Sequence, residues 1–492
     1  MAQIDQDAQL RYSIPALSLM ETAGLKLWQT VKKRISQNDR LVLLCGGGNN
    51  GGDALVVARL AFNDGCSNLL CVLVGSLISP SCKVQRDIIE AYGLEAVNLT
   101  DSVSDEVSLA IKKADYLFDG LAGTGLRGPL RGVTLALVLL ANQSKAYRIA
   151  IDIPSGISDQ VGVFAPHFHA DTTITMGLGK CAMYHPTIRQ SCGEIIVENP
   201  SFPPQLLNQC EVFAHLLEME DLHLPQLLSS AYKNTRGNVA IVGGSKHYTG
   251  AARLASRAAF ASRAGLVTLF CDPEVYPIAA KESPSVMVRV MDLSLSLERY
   301  DALLVGPGWG EGREDLLLQL FSTGKPLVLD ADGIGAYASL LQRKTKISHG
   351  PLILTPHLGE LKKLVSALYP EQAETISSSD TPSSYVSLIQ AVADQLDAVL
   401  VVKSSLIHIA TPHEKVCILE GLNPSLGVAG SGDVLGGIMV SLLGGGIALH
   451  EAAVMASMLH QKSGVLAHVA CGYYDSETLI SYIGKAFMEA ER

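Results

Sequence analysis

The sequence lacks what several large protein classes require. Its ten cysteines form no CxxC pair and no zinc-like spacing, which argues against a structural zinc site or a disulfide framework. Cys71 sits inside the apolar run Leu69-Leu70-Cys71-Val72-Leu73-Val74 and reads as a buried strand residue. Positive charge is scarce: 38 Lys+Arg stand against 48 Asp+Glu, a formal net charge of −10. That balance argues against nucleic acid or an anionic membrane surface as the main partner. A phosphorylated small molecule stays open, because backbone amides at a helix start hold phosphate without basic side chains. The longest apolar stretches, such as residues 133–141, are far too short for a membrane span. Residues 1–10 are polar and acidic rather than basic and then apolar, so no secretory signal is visible and the cytoplasm is the expected compartment. No fixed-period repeat points to a solenoid or propeller.

What is present fits a compact α/β protein. Apolar residues make up 48%, charged residues only 17%, and glycine occurs 45 times, the profile of well-packed layers joined by tight loops. At 492 residues the chain exceeds what one core usually serves, so more than one domain is expected.

The chain reads as two halves, each with its own alternation of apolar strands, glycine turns and helical segments. In the first, strands are predicted near 40–45, 69–74, 116–119 and 148–152, with a helical segment after Asp53. The stretch 198–224 is proline-bearing and mixed, and reads as a connector plus the lead-in to a second domain. From Gly237 the pattern restarts: strands near 238–242, 265–270, 302–305, 326–329, 352–354 and 398–403, with a helix over 250–264. The Ser/Thr/Pro-rich piece 375–384 reads as a surface loop or helix lead-in. Alternation of this kind implies mostly parallel sheets, with ligands held by the loops at the carboxyl ends of the strands. The division adopted is residues 1–212, a Rossmann-like three-layer α/β domain, and residues 213–492, a ribokinase-like α/β domain. Both fold-family names rest on the resemblance described below.

The strongest chemical signal is Ala429-Gly430-Ser431-Gly432-Asp433 followed by a helical segment. Small residues at a helix start leave an anion cradle of amide N–H groups. An acid there opposes phosphate unless it takes a proton from a hydroxyl that attacks the terminal phosphoryl group. The plain alternative is a glycine-rich packing site with an Asp cap. Three further strand-end loops accompany it: Val305-Gly306-Pro307-Gly308-Trp309-Gly310, Leu329-Asp330-Ala331-Asp332-Gly333, and Thr355-Pro356-His357-Leu358-Gly359-Glu360. The two acids of the second suit substrate hydroxyls or a hydrated magnesium ion. Lys403, at a strand end, either faces nucleotide phosphates or is solvated.

In the first half, Gly46 to Asp53 is rich in glycine but has neither the GxGxxG spacing nor the P-loop Lys-Ser/Thr. Asn49-Asn50-Gly51-Gly52 taken alone is a tight turn. With Asp119 and Ser155, however, the asparagines offer an all-oxygen pocket suited to a weakly charged hard cation. The loop from Asp119 through Gly123-Thr124-Gly125-Leu126-Arg127-Gly128 ends in an arginine able to meet phosphate, and Asp152-Ile153-Pro154-Ser155-Gly156 closes the same crevice. His167 and His169 have no neighbouring cysteine to complete a metal spacing and read as loop residues.

Taken together and in this order, these residues resemble the bifunctional NAD(P)H-hydrate epimerase/dehydratase family over nearly the whole chain. The first half matches in Leu19-Met20-Glu21-Thr22-Ala23-Gly24, Asn49 to Asp53, Asp119 with Gly123 to Arg127, Asp152 to Gly156, and Thr173 to Lys180. The second matches in Gly243-Gly244-Ser245, Tyr248 to Ala251, Gly306-Pro307-Gly308, Asp330-Ala331-Asp332, Thr355 to Glu360 and Gly430 to Asp433. Thr22, Ala54 (after Asp53) and Gly120 (after Asp119) depart from the family's usual residues.

The resemblance implies a metabolite-repair enzyme: an isomerase that interconverts the R and S ring hydrates of NADH and NADPH, joined to a lyase that dehydrates the S form at the expense of ADP or ATP. It implies Asp119 and Asp433 as catalytic residues, and a potassium ion held by Asn50, Asp119 and Ser155. Asn49, Asn50, Gly51, Gly52, Asp53, Gly123, Thr124, Gly125, Leu126, Arg127, Gly128, Pro129 and Asp152 would bind the hydrate in the first domain. Ala251, Gly308, His357 and Asp433 would bind it in the second. Lys403, Ser404, Ser405, Leu406, Ile407 and Gly432 would contact the adenine nucleotide, with magnesium. No nucleic acid or membrane is implied, and homo-oligomerisation is expected. Two other readings stay open: a small-molecule kinase with a regulatory first half, and a binding protein with degenerate sites.

Overall fold

The computed structural model describes all residues except 283, 293–295, 373–380, 422 and 492. The chain divides into two compact units, Met1–Val212 with Ser377–Tyr385, and Phe213–Ile376 with Val386–Arg492.

The first unit runs α1 (Ala2–Tyr12), α2 (Ala16–Val31), β1 (Leu41–Cys45), α3 (Asn49–Asn63), β2 (Leu69–Val74), α4 (Pro80–Ala91), β3 (Ala96–Leu99), α5 (Asp105–Lys113), β4 (Tyr116–Gly120), α6 (Gly132–Gln143), β5 (Tyr147–Ile151), β6 (Thr172–Met176), β7 (Glu194–Glu198) and α7 (Pro204–Asn208). Its seven strands lie in the order β3-β2-β1-β4-β5-β6-β7, every pair parallel. The run Leu41–Cys45 is apolar throughout because both faces of its strand are buried. Leu41, Leu43 and Cys45 enter the core beneath α2, α3 and α4, while Val42 and Leu44 enter the core beneath α5 and α6. This is the expected three-layer Rossmann-like arrangement. Strand order reverses between β1 and β4, where Leu44 lies opposite Asp119, and that reversal opens a crevice at the carboxyl ends.

The second unit contains β8 (Ala214–Leu217), β9 (Asn238–Val242), α8 (Ala251–Ala261), β10 (Leu266–Cys271), α9 (Tyr276–Glu282), β11 (Met287–Val290), β12 (Ala302–Val305), α10 (Glu314–Ser322), β13 (Leu327–Leu329), α11 (Asp332–Gln342), β14 (Leu352–Leu354), α12 (Leu358–Leu368), most of α13 (Pro382–Leu396), β15 (Val399–Val402), β16 (Leu406–Ala410), β17 (Val416–Glu420), α14 (Ser431–Gly444), α15 (Leu449–Cys471) and α16 (Ser476–Ala490). The sheet order is β11-β10-β9-β12-β13-β14-β15-β16-β17-β8. It is parallel from β11 to β15 and antiparallel through β16 and β17. Its reversal point lies between β9 and β12.

Several sequence expectations change here. Asn49-Asn50-Gly51-Gly52 is the first turn of α3, not a tight turn in a loop. Gly51 permits this, since a Cβ there would lie 1.9 Å from the Gly46 carbonyl oxygen. The stretch read as a connector and lead-in to the second domain holds an unpredicted strand, β8, which opens the second unit and pairs in parallel with β17; its short, half-exposed Ala214–Leu217 carries too weak an alternation to stand out. Of the piece 375–384, residues up to 380 lie outside those described, and helix α13 is under way from Pro382.

Helix α14 packs across α8 through small residues, Ala255, Ala258 and Ala259 facing Gly437. A Cβ on Gly437 would lie 2.3 Å from the Ala255 carbonyl oxygen and 2.8 Å from the Ala258 Cβ. Backbone against backbone leaves no flexible group to yield, so Gly437→Ala is expected to destabilise the second unit by about 1–3 kcal/mol, read as a lower midpoint in chemical denaturation.

Candidate functional sites

The first unit's site sits at its strand reversal. Asp119, fully buried near the end of β4, accepts hydrogen bonds from the Ser155 N–H (2.7 Å), the Ser155 hydroxyl (2.6 Å) and the Leu121 N–H (3.2 Å). Burial pushes its carboxyl up to about 6, against the pull of those bonds. The Asn50 side-chain amide donates to the Ala122 carbonyl (3.2 Å), and the Ala122 N–H donates to the Ser155 hydroxyl (2.8 Å). Asn50, Asp119 and Ser155 therefore belong to one network, and the buried Asn50 Oδ1 has no hydrogen-bond partner in it. Asn49 does not join: its Oδ1 accepts from the Ser79 hydroxyl (2.8 Å), which itself caps α4.

Beside this network opens a cleft of about 570 Å³, lined by Asn49, Asn50, Asp53, Gly123, Thr124, Gly125, Leu126 and Asp152 among others. The first N–H groups of α3 have no side-chain cap, which leaves them available to an anion. Asp152 holds a strained φ of 65°. Its Oδ1 accepts from the Met176 N–H (3.0 Å) and the buried Lys180 ammonium (2.5 Å). Gly51 and Gly52 are buried within α3, Arg127 and Pro129 are exposed, and Gly128 is half-buried. None of these five is among the residues that line the cleft. Lys180 was not among the expected site residues, nor were Met1, Asp5 and Gln9, which also line the cleft from α1 and the residue before it. No sequence signal ties a helix ahead of the first strand to a strand-end crevice. The departures at 54 and 120 meet in space: a Cβ on Gly120 would lie 2.8 Å from the Ala54 Cβ, so the methyl at one position requires glycine at the other.

The second site also gathers at strand ends. Gly308, at φ 57°, brings its loop so close to the β9 loop that a Cβ would lie 2.7 Å from the Tyr248 carbonyl oxygen and 3.3 Å from Ala251 Cβ. Ala251 is the first residue of α8. Asp433 stands in the first turn of α14, and Gly430, at φ 90°, turns the chain into that helix. Lys403, just past β15, reaches the buried Asp330 (2.6 Å), and a Cβ on Gly432 would lie 3.3 Å from its ammonium. Burial pushes the Asp433 carboxyl up to about 7; Asp330 adds to this and Lys403 opposes it.

One open alternative is resolved: Lys403 is not solvated; a carboxylate as deeply buried as Asp330 needs a cationic partner, and Lys403 supplies it. The Asp330 Oδ1 also accepts from the Thr355 hydroxyl (2.7 Å). Asp332 accepts from the Gly310 N–H (2.8 Å). His357 caps α12, its Nδ1 accepting from the Gly359 N–H (2.9 Å). The backbone N–H of Lys403 donates to the Pro356 carbonyl (2.8 Å), so His357 and Lys403 share one layer. Ser404 and Ser405 form the turn into β16, while Leu406 and Ile407 are buried strand residues, able to meet a nucleotide only through main chain.

Each half is thus an α/β unit with acids and uncapped helix starts among the loops at its strand ends, the architecture of nucleotide-handling enzymes. The second unit shares its fold with a ribokinase-like superfamily protein from Enterococcus faecalis, with a TM-score of 0.50, 22% identity, and coverage of 58% of this chain and 99% of that one. Residues 239–485 match the NAD(P)H-hydrate dehydratase family, and residues 16–182 match the family described as YjeF-related protein N-terminus. A bifunctional NAD(P)H-hydrate repair enzyme of Moorella thermoacetica is 31% identical over 94% of this chain and 90% of its own length. One from Thermofilum pendens is 30% identical over 98% and 94%. The chain belongs to the bifunctional NAD(P)H-hydrate repair enzyme family. Among the described residues no helix is long and apolar enough to cross a membrane.

Proposed function

We propose that the protein restores hydrated NADH and NADPH in two steps: the first unit interconverts the R and S hydrates, and the second dehydrates the S epimer with an adenine nucleotide, ADP giving AMP and phosphate. The observation that carries this reading is the presence in one family member of two separate strand-end sites, each with an acid held near neutrality, Asp119 and Asp433.

In the second unit the chemistry follows from the hydroxyl's weakness as a leaving group. Asp433 takes the proton as the hydrate's hydroxyl oxygen attacks the terminal phosphorus. The phosphoanhydride bond breaks and the remaining nucleotide leaves; the C–O bond of the phosphate ester then breaks, the neighbouring ring carbon gives up a proton, and the ring double bond re-forms as inorganic phosphate departs. Amides at the start of α14 hold the charge that develops. Ala251, Gly308 and His357 shape the hydrate pocket, and Lys403 to Ile407 with Gly432 meet the nucleotide. Magnesium, bound with the nucleotide, would neutralise part of its phosphate charge.

In the first unit, Asn50, Asp119 and Ser155 fit a potassium ion. The set is all oxygen, and the unpartnered Asn50 Oδ1 supplies a ready ligand. Potassium there would stabilise negative charge beside the cleft. Asp119 acts as acid and base at the hydroxyl-bearing ring carbon, while Asn49 to Asp53, Gly123 to Pro129 and Asp152 hold the substrate.

The test is recovery of the reduced-nicotinamide absorbance from mixed-epimer NADH hydrate, with ADP, ATP or no nucleotide, plus magnesium and potassium. Complete, nucleotide-dependent recovery supports both activities and names the phosphoryl donor. Recovery that stops near the S fraction removes the epimerase, and a stable phosphorylated product in place of NADH would turn the second unit into a kinase. Because Asp433 must be ionised to act, dehydration should rise with pH through a midpoint near 7. Lys403→Met, which removes the cation favouring the ionised form, should move that midpoint upward in a kcat/KM profile.

A further inference from the structure

Helix α1 lies outside the matched residues 16–182, yet it forms a wall of the first unit's cleft. Asp5 and Gln9, four apart, occupy one helical face, and with Met1 they line the cleft opposite Asp53 and Asp152. Ile4 and Ala8, on the other side of α1, are buried against Leu19, Phe202 and Leu206, which fixes which face α1 presents.

The four polar side chains are not alike. Asp152 is satisfied by Lys180 and the Met176 N–H. The Gln9 amide donates to the Asp5 carbonyl (3.1 Å). The Asp5 and Asp53 carboxylates accept no hydrogen bond from the described residues. They lie close enough that Asp53, already pushed well above the usual carboxylate range by burial, is raised further by Asp152 and Asp5. Two unpartnered carboxyl groups facing one cleft ask for hydroxyl donors. The cleft is also lined by Asn50, whose buried Oδ1 has no hydrogen-bond partner and is the atom offered above to potassium. No Lys, Arg or His side chain is among the lining residues.

We propose that Asp5, carried by α1, is a specificity-determining residue of this cleft: with Asp53 it receives the hydroxyl pair of a ribose, and its charge disfavours a ribose that bears a phosphate. A carboxylate at a ribose diol is the general means by which dinucleotide sites select the unphosphorylated cofactor. Resting on the epimerase reading above, this makes NADH hydrate the better substrate of the first unit.

The experiment measures epimerisation of R-NADH hydrate and R-NADPH hydrate on the full-length protein, wild type and variants, coupled to excess dehydratase. A like-charge contact at an open cleft is modest, so wild type should show a KM for the NADPH hydrate roughly fivefold higher. Asp5→Asn should shrink that ratio towards one, raising KM for NADH hydrate with kcat held within about twofold. Asp5→Lys should invert it. A ratio near one in wild type, a ratio unmoved by both substitutions, or an equal loss on both substrates would overturn the inference and leave the epimerase reading intact. No epimerisation of either hydrate by folded wild type would instead overturn the epimerase reading itself.

Discussion

Replacing Asp433 by Asn should lower dehydration by about a hundredfold to ten-thousandfold, the range that positioned general bases supply, while epimerisation continues at its wild-type rate. Asn keeps the shape and the helix start but accepts no proton, so KM for hydrate and nucleotide should move little. The loss belongs in kcat, measured with S-NADH hydrate and nucleotide in excess. The same substitution should stabilise the second unit at alkaline pH. The Asp433 carboxyl sits near 7 in the folded chain against 3.8 for its ordinary value. Above pH 7 it is ionised in both states, and the folded state carries the whole cost of burying the charge. As pH falls through 7 the folded state takes up a proton and that cost disappears. The gain in thermal midpoint of Asp433→Asn over wild type should thus be largest above pH 7 and close as pH falls towards 4. A site that evolved for activity at the expense of stability behaves in this way. A variant that dehydrates normally would remove Asp433 from the chemistry.

Replacing Asp119 by Asn should do the reverse, lowering epimerisation by about a hundredfold or more and leaving dehydration of pure S hydrate untouched. Asp119 is more deeply embedded than Asp433: it accepts from the Ser155 N–H and hydroxyl and from Leu121. An amide in its place turns one acceptor into a donor that meets those N–H groups head on. The Ser155 and Asn50 positions should loosen with it, so potassium dependence should vanish together with activity. Mixed hydrates would then be repaired only to the S fraction. If either substitution silences both activities in a folded protein, the division of labour between the units is wrong.

The two sites were not equally legible in the sequence. Gly430 to Asp433 stands out because glycines next to an acid at a helix start are costly without a ligand, and Asp433 lies where that pattern implies. The first site was harder. Asn49 and Asn50 are adjacent and chemically identical, yet one is tied to Ser79 and the other faces Asp119 and Ser155; only the phase of α3 separates them. Lys403 reads the same whether solvated or buried, and the partner that decides, Asp330, lies 73 residues away.

The sequence by itself determined two α/β halves, four strands of the first sheet and six of the second, and marked Asp119 and Asp433 as candidate acids, because local patterns of burial and turn residues encode these directly. The tertiary structure alone decided that β8 completes the second sheet, that Asp330 is satisfied by Lys403, and that α1 brings Asp5 to a cleft built by residues far along the chain. Those facts depend on which segments meet, and a meeting of distant segments is fixed by the packing of whole layers rather than by any stretch of residues read alone.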